Sequence, residues 1–281
     1  MSSHPWVPTE IDLNTILAKF PRPLDALASS EVPAFIIRRA FDPMQCEALI
    51  RRFYNRGLLY DPRKLPLDQP KGRVDIGASA AGIGDPKRFF ENTARAHKLF
   101  ETLFEGYPNP IKVIYDTLSV LAPGKHVMTA HEADGRMFGP AIFRCYYEDR
   151  GHGPHFDSTR NDRLQDSSRG RSAVGRFETQ FSAVMCFQNA ARFEGDDAGQ
   201  AFIYREQWSP DLKPNWNKTY REEAASRGIE RAHVNLNQGD LYVFCTEHIH
   251  EVPPVRGDTP RITLAAFFGS SKNDDEIFVW S

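Results

Sequence analysis

The chain changes texture near residue 122, and that change restricts the folds open to it. Ahead of it, three spans share one punctuation, an Asp-Pro or Asn-Pro start and a Gly stop. They are DPMQCEALIRRFYNRG (42–57), DPKRFFENTARAHKLFETLFEG (85–106) and NPIKVIYDTLSVLAPG (109–124). Asp or Asn caps a helix, Pro fits its first turn and Gly ends it. Apolar residues recur within each span at three- and four-residue spacing, so each is expected to be a helix covering a core on one face. One early strand is expected at 32–41, VPAFIIRRAF. Beyond residue 122 the apolar runs are short, aromatic and β-branched, and Gly, Pro, Asn and Asp divide them. They fall at 141–147, 181–188, 201–208, 232–237, 241–245, 261–269 and 277–280, and such runs read as strands. Short strands behind a helical layer predict an α+β chain built on a barrel or two-sheet jelly roll.

The 281 residues are expected to form one domain, although ~150 residues per domain would allow two. Its parts are a helix-rich supporting region, 1–121, and a strand-rich core, 122–281. Polar insertions near 158–179 and 209–231 interrupt the core, the second with a short helix in NKTYREEAASRG. Lys+Arg 35 against Asp+Glu 37 leaves a net charge of -2, too little basic field to hold nucleic acid. The longest apolar stretch, Ile262 to Phe268, is too short to span a membrane. MSSHPWVPTEIDL lacks the basic and apolar regions of a signal peptide. Cys46, Cys145, Cys186 and Cys245 are scattered without a CxxC. They are expected to be buried free thiols of a cytoplasmic protein. Oligomeric state is left open.

The chemistry centres on His155-Phe156-Asp157. On a strand or at its end, residues i and i+2 share a face, so an imidazole and a carboxylate stand side by side as two metal ligands. Further ligand candidates, His248 and His250, follow the run LYVFC, expected to lie beside the strand of His155. Two histidines and a carboxylate on one face leave three positions of an octahedral metal open, which suits non-haem Fe(II). Arg261 and Thr263 share a strand face, and a guanidinium fork beside a hydroxyl can clamp a carboxylate. Arg256 is a rival anchor, but GDTP puts it in a turn, and Asp258 is an alternative partner for Arg261. No GxSxG elbow is present, and HEAD (131–134) is not HExxH. His152 and His155 in HGPH could suggest a zinc pair, but Gly-Pro between them suits a turn.

In order, His-x-Asp, His and Arg-x-Thr resemble the Fe(II)/2-oxoglutarate-dependent oxygenase superfamily. The resemblance implies a double-stranded β-helix (jelly-roll, cupin-like), an iron triad of His155, Asp157 and His250, and a 2-oxoglutarate anchor at Arg261 aided by Thr263. More narrowly, FIIRRAFDPMQCEALIRR (35–52), AGQAFIYREQWSP (198–210), GDLYVFCTEHIHEVPP (239–254) and IFVWS (277–281) resemble the carrier-independent halogenases of hapalindole-type alkaloids. Those halogenases have a small residue in place of the carboxylate, and chloride takes the vacated iron position. Asp157 stands there in this chain, so hydroxylation is expected instead.

The same resemblance puts Arg144 near the cosubstrate and Ala78 and Ser79 at the substrate pocket. Phe143 and Tyr146 flank Arg144, and alternation sends only one of them inward. The insertion STRNDRLQDSSRGRSAVGR (158–176) holds five Arg and two Asp, a local +3 that could steer an anionic substrate, and Trp208 and Trp216 could cap the pocket. The activity implied is a dioxygenase that uses Fe(II), 2-oxoglutarate and O₂ to oxidise a C–H of a small molecule, a specialised metabolite or a free amino acid derivative. The alternatives are an oxygenase acting on protein side chains and an inert jelly-roll binding module.

Overall fold

The computed structural model describes residues 5–61, 64, 72–80, 83–192, 197–211 and 216–281. The first four residues, 81–82 of the Gly/Ala-rich stretch around Ala78, and 212–215 of the second insertion lie outside them. Helices α1 (Ile16–Lys19), α2 (Pro23–Ala28), α3 (Pro43–Asn55), α4 (Pro86–Leu103) and α5 (Pro110–Leu121) form the front of the chain, with α6 (Thr159–Leu164) and α7 (Tyr220–Ser226) in the two insertions. The capping expected for the three long helices is present. The Asp42 side chain accepts from the Met44 N–H, Asp85 from Lys87 and Asn109 from Ile111 and Lys112, each followed by Pro. Gly57, Gly106 and Gly124 follow these helices with φ of 66°, 77° and 80°, left-handed values that glycine tolerates best.

Thirteen strands among the described residues build two sheets. They are β1 (Thr9–Glu10), β2 (Phe35–Ile37), β3 (Arg73–Gly77), β4 (His126–Thr129), β5 (Ile142–Tyr146), β6 (His152–His155) and β7 (Thr179–Gln188), then β8 (Ala201–Gln207), β9 (Arg231–Val234), β10 (Leu241–Cys245), β11 (His248–Val252), β12 (Arg261–Ser270) and β13 (Glu276–Trp280). The large sheet runs β1-β2-β10-β7-β12-β13-β4, and β5 and then β3 extend from the first half of β12. The small sheet runs β6-β11-β8-β9.

One face of the large sheet packs on the helices. Phe143 of β5 lies at the centre of that core, with ring centroids 4.8 Å from Phe53, 6.3 Å from Phe100, 6.2 Å from Phe104 and 4.9 Å from Phe187. The other face meets the small sheet. Val184, Cys186, Tyr242 and Phe244 share a buried cluster with Ile203, Ala232 and Val234. Alternation along β7 sorts its residues accordingly: Phe181, Ala183, Met185 and Phe187 join the helical core, while Ser182 and Val184 face a cavity between the sheets.

The three long helices precede residue 122 and ten of the thirteen described strands follow it, and several elements depart from expectation. The strand expected over 32–41 is confined to Phe35–Ile37. β3, β4, β6 and β11 lie in stretches too polar or too short to read as strands alone. HGPH is the strand β6 rather than a turn. LYVFC (β10) pairs β2 and β7 in the large sheet, so it does not border the strand of His155. The neighbour of that strand is β11. All four cysteines are buried and free, and burial is the main cause that pushes the Cys46, Cys145 and Cys245 thiols up to about 12. No described helix is long and apolar enough to cross a membrane.

Candidate metal centre

His155, Asp157 and His250 converge at the mouth of the small sheet. Their ligand atoms all lie within 4.8 Å of one another, and Asp157 Oδ2 is 3.9 Å from His155 Nε2 and 3.8 Å from His250 Nε2. Antiparallel pairing sets His250 of β11 directly opposite His155 of β6. Asp157, two residues beyond His155, is fixed through its backbone. Its N–H donates to the Thr246 carbonyl at 2.9 Å, and Thr246 Oγ1 donates to the Asp157 carbonyl at 2.9 Å.

The imidazole tautomers are set by the backbone. His155 Nδ1 lies 2.8 Å from the Gly153 carbonyl, and His250 Nδ1 lies 2.8 Å from the His248 carbonyl. A carbonyl only accepts, so each Nδ1 carries the proton and each Nε2 presents its lone pair to Asp157. Burial, followed by the neighbouring His250 and His152 rings, holds the His155 imidazole well below its ordinary range. Burial lowers His250 as well, opposed by Asp157. Both rings are therefore neutral at pH 7, the form that binds metal. His152 stacks on His155 at 3.5 Å between centroids, but it is not a member of the ligand cluster.

Across the cavity stands the inner face of β12. Arg261 and Thr263 are buried and line the same cavity as the three ligands, together with Arg144 and Tyr146 of β5. Among the described residues no carboxylate lies within ion-pair distance of Arg261, Asp258 included. Arg144 Nε is a buried donor with no partner. Two guanidinium groups facing the cavity, neither in an ion pair with a carboxylate among the described residues, fit an anionic occupant. The donor set of two neutral imidazoles and one carboxylate, with open space on its far side, fits Fe(II).

Other expected site residues fall elsewhere. Phe143 points to the opposite face from Arg144, as alternation requires, and belongs to the helical core. Tyr146 is adjacent to Arg261 across the β5–β12 pair and lines the cavity. Ala78 and Ser79 line a neighbouring cavity that shares only the Ile142 wall with the metal centre. The Ala78 carbonyl accepts from Ser281 Oγ at 2.8 Å, and Ser281 does line the central cavity. Three of the five arginines of the first insertion are paired, two of them with the insertion's own aspartates, so the +3 is offset only at Arg176. Arg169 pairs with Asp162, Arg171 with Asp166, and Arg176 with Asp274 and Glu276.

Phe156, between the two ligand positions, packs on Trp208 at 5.6 Å and Trp216 at 5.9 Å. The second insertion therefore holds the ligand turn from behind, and neither tryptophan lines the cavity. Glu247 was not singled out by sequence reasoning. Its carboxylate is buried, accepts from Ser158 Oγ at 3.0 Å, and is raised by desolvation. A lone Glu beside an assigned histidine gives no periodic signal.

The family model of the carrier-protein-independent halogenase WelO5 matches residues 6–281. The chain belongs to the WelO5 halogenase family. No curated protein sequence matches the chain. Among solved structures, the N-substituted L-amino acid dioxygenase from Burkholderia ambifaria AMMD superposes with a TM-score of 0.55 at 17% identity, over 95% of this chain and 91% of that one. A structure of such a dioxygenase from the same organism in complex with alpha-KG gives 0.54 at 14% identity, over 95% and 91%. The epimerase SnoN from nogalamycin biosynthesis gives 0.46 at 12%, over 93% and 86%. At these identities the dioxygenase likeness is one of fold. The fold is that of the 2-oxoglutarate oxygenases, and within the WelO5 family this member has a carboxylate beside its two histidines.

Proposed function

We propose that the protein is an Fe(II)/2-oxoglutarate-dependent dioxygenase that hydroxylates or otherwise oxidises an unactivated C–H of a small molecule, rather than a halogenase. The observation that carries this reading is Asp157, whose carboxylate lies within 4 Å of both histidine Nε2 atoms. A carboxylate in that position completes a facial triad and leaves no vacated ligand site for a halide. The two facing sheets support reading the core as a double-stranded β-helix with its metal at one mouth.

In this reading His155 and His250 supply neutral lone pairs, and Asp157 supplies one negative charge. The Nδ1–H bonds to Gly153 and His248 keep both rings oriented, and the Thr246 clamp keeps Asp157 in place. Arg261 and Thr263 hold the distal carboxylate of 2-oxoglutarate, and Arg144 contributes its free Nε–H to the same end of the cavity. Iron held by these three residues would supply the oxidation of a C–H, consuming 2-oxoglutarate and O₂ and releasing succinate and CO₂. Ile142, Val184, Phe244 and Phe267 line the rest of the cavity. They exclude water and fix which C–H faces the metal.

A specialised metabolite or an amino acid derivative is the substrate class this reading takes first. A compact cavity between two sheets favours a small molecule over a protein side chain. The test is incubation with Fe(II), 2-oxoglutarate, O₂ and a metabolite panel, with chloride and bromide present. Succinate with a product heavier by one oxygen supports the reading. A halogenated product from the wild type, or no succinate with any substrate, contradicts it.

A further inference from the structure

We propose that His152 is a positioning residue of the metal centre: its imidazole stacks on the ligand His155 and fixes the plane in which that ring meets a metal ion. This rests on the metal centre of the oxygenase reading and adds a residue to it.

A bulge in β6 brings the two rings together. His155 lies opposite His250 and His152 opposite Val252, with a shift of register between the two pairs. Gly153 and Pro154 intervene on β6, but only Glu251 on β11. In a regular strand, residues three apart point to opposite faces. The extra residue reverses that parity, so His152 joins His155 on the face of His250 and Val252. All four line the metal-centre cavity. The two intervening residues suit a bulge. Pro154 has no N–H to give to a ladder, and the Gly153 carbonyl accepts from His155 Nδ1 at 2.8 Å.

A ligand imidazole held by one hydrogen bond can still turn. Rotation about its Cβ–Cγ bond is soft, and the bond to Gly153 restrains a single ring atom. The His152 ring supplies the second restraint. The two centroids are 3.5 Å apart and the planes 29° from parallel, so tilting His155 toward His152 would drive the rings into each other. His250 has a comparable neighbour in Phe244, at 4.9 Å and 75°. Each ligand imidazole thus has a backbone acceptor and an aromatic wall.

The contact is made by ring faces rather than by polar atoms. His152 stands outside the ligand cluster, and among the described residues none hydrogen-bonds its ring. An imidazole used for one nitrogen is normally oriented by a partner on the other. His155, His248 and His250 each have such a partner in a backbone carbonyl. The His152 ring is oriented through the stack instead. A flat ring without nitrogens should therefore replace it, and a polar side chain without a ring should not.

The test compares the wild type with His152→Phe, His152→Leu and His152→Asn at pH 8. The first keeps a flat ring, the second keeps bulk without a ring, and the third keeps a polar group without a ring. Each protein is titrated with Co(II) by calorimetry. The His155 tautomer is read in the metal-free proteins by long-range proton–nitrogen NMR. His152→Leu and His152→Asn are expected to bind Co(II) about tenfold more weakly than the wild type, and to show mixed His155 tautomers in place of Nδ1–H alone. His152→Phe is expected to stay within about twofold of the wild type and to keep the Nδ1–H form. A role in packing alone would lower the melting point without moving the tautomer.

Wild-type Co(II) affinity in His152→Leu would overturn the proposal, and so would a wild-type His155 tautomer in that variant. Affinity in His152→Phe as weak as in His152→Leu, or in His152→Asn as tight as in the wild type, would also overturn it, because the role would then belong to the ring nitrogens. Should His152→Leu not fold, His152→Asn carries the same comparison. Failure of the wild type to bind Co(II) strikes the metal centre of the oxygenase reading, and the metal-free spectra still decide whether His152 positions His155.

Discussion

His155 and His250 face each other across the β6–β11 pair with ring centroids 4.1 Å apart. Each donates its Nδ1–H to a backbone carbonyl two residues earlier in the chain. The two lone pairs are thus aimed by strand register and local backbone, before any metal arrives. Only Asp157 comes from outside the ladder, and Thr246 ties it down.

Acid should destabilise the metal-free protein. Burial lowers His248 to about 4, whereas an unfolded histidine titrates near ~6.5. As pH falls below about 6.5 the unfolded chain binds the proton first, so stability is fully present above that pH and is lost toward 4. His248 alone contributes up to about 3 kcal/mol to this loss, and its Nδ1–H bond to the Tyr204 carbonyl at 3.0 Å is fully buried. Denaturant midpoints of metal-free protein from pH 8 to 4.5 check it. A flat profile would contradict the account.

Arg261→Lys should raise the KM for 2-oxoglutarate about 10- to 100-fold, because a point charge replaces a two-pronged fork. kcat at saturating cosubstrate should change by less than about twofold, since uniform binding is what is lost. Steady-state succinate release measures both. An unchanged KM would remove Arg261 from the cosubstrate site.

Phe143 and Tyr146 differ in kind. Phe143→Ala opens a hole in the helical core and should cost about 3–5 kcal/mol, with 2-oxoglutarate affinity nearly unchanged. Tyr146→Phe should leave stability within about 1 kcal/mol, because it removes one hydroxyl from the cavity wall. Equilibrium unfolding and cosubstrate titration on both variants separate the roles. A stable Phe143→Ala protein would contradict this assignment.

Phe156→Ala should weaken metal binding about tenfold without removing a ligand. The ring wedges the ligand turn against Trp208 and Trp216, and truncating it frees the turn to wander. Metal titration monitored by calorimetry checks this. Unaltered affinity would reduce the aromatic cluster to packing.

How much of this the residues announced depends on where the signal lay. Asp-Pro and Asn-Pro punctuation marks α3, α4 and α5 because capping is a local interaction. The apolar runs of β7 and β12 stand out because both faces are buried. β6 and β11 do not, since HGPH and HIHEV spend their side chains on ligands and on neighbours such as Tyr204 rather than on periodic apolar contacts. The pairing of β11 with β6 is long-range, so the run LYVFC drew attention to the wrong neighbour. His155, Asp157, Arg261 and Thr263 were legible through spacing of two.

The most direct test of the central claim is anaerobic titration of the wild type and Asp157→Ala with Fe(II), followed by 2-oxoglutarate. The wild type should bind one Fe(II) per chain and then develop the visible charge-transfer absorption of a chelated 2-oxo acid. Asp157→Ala should lose Fe(II) affinity at least about tenfold. Equal iron affinity and equal absorption in the two proteins would show that Asp157 is not a ligand and would contradict the account.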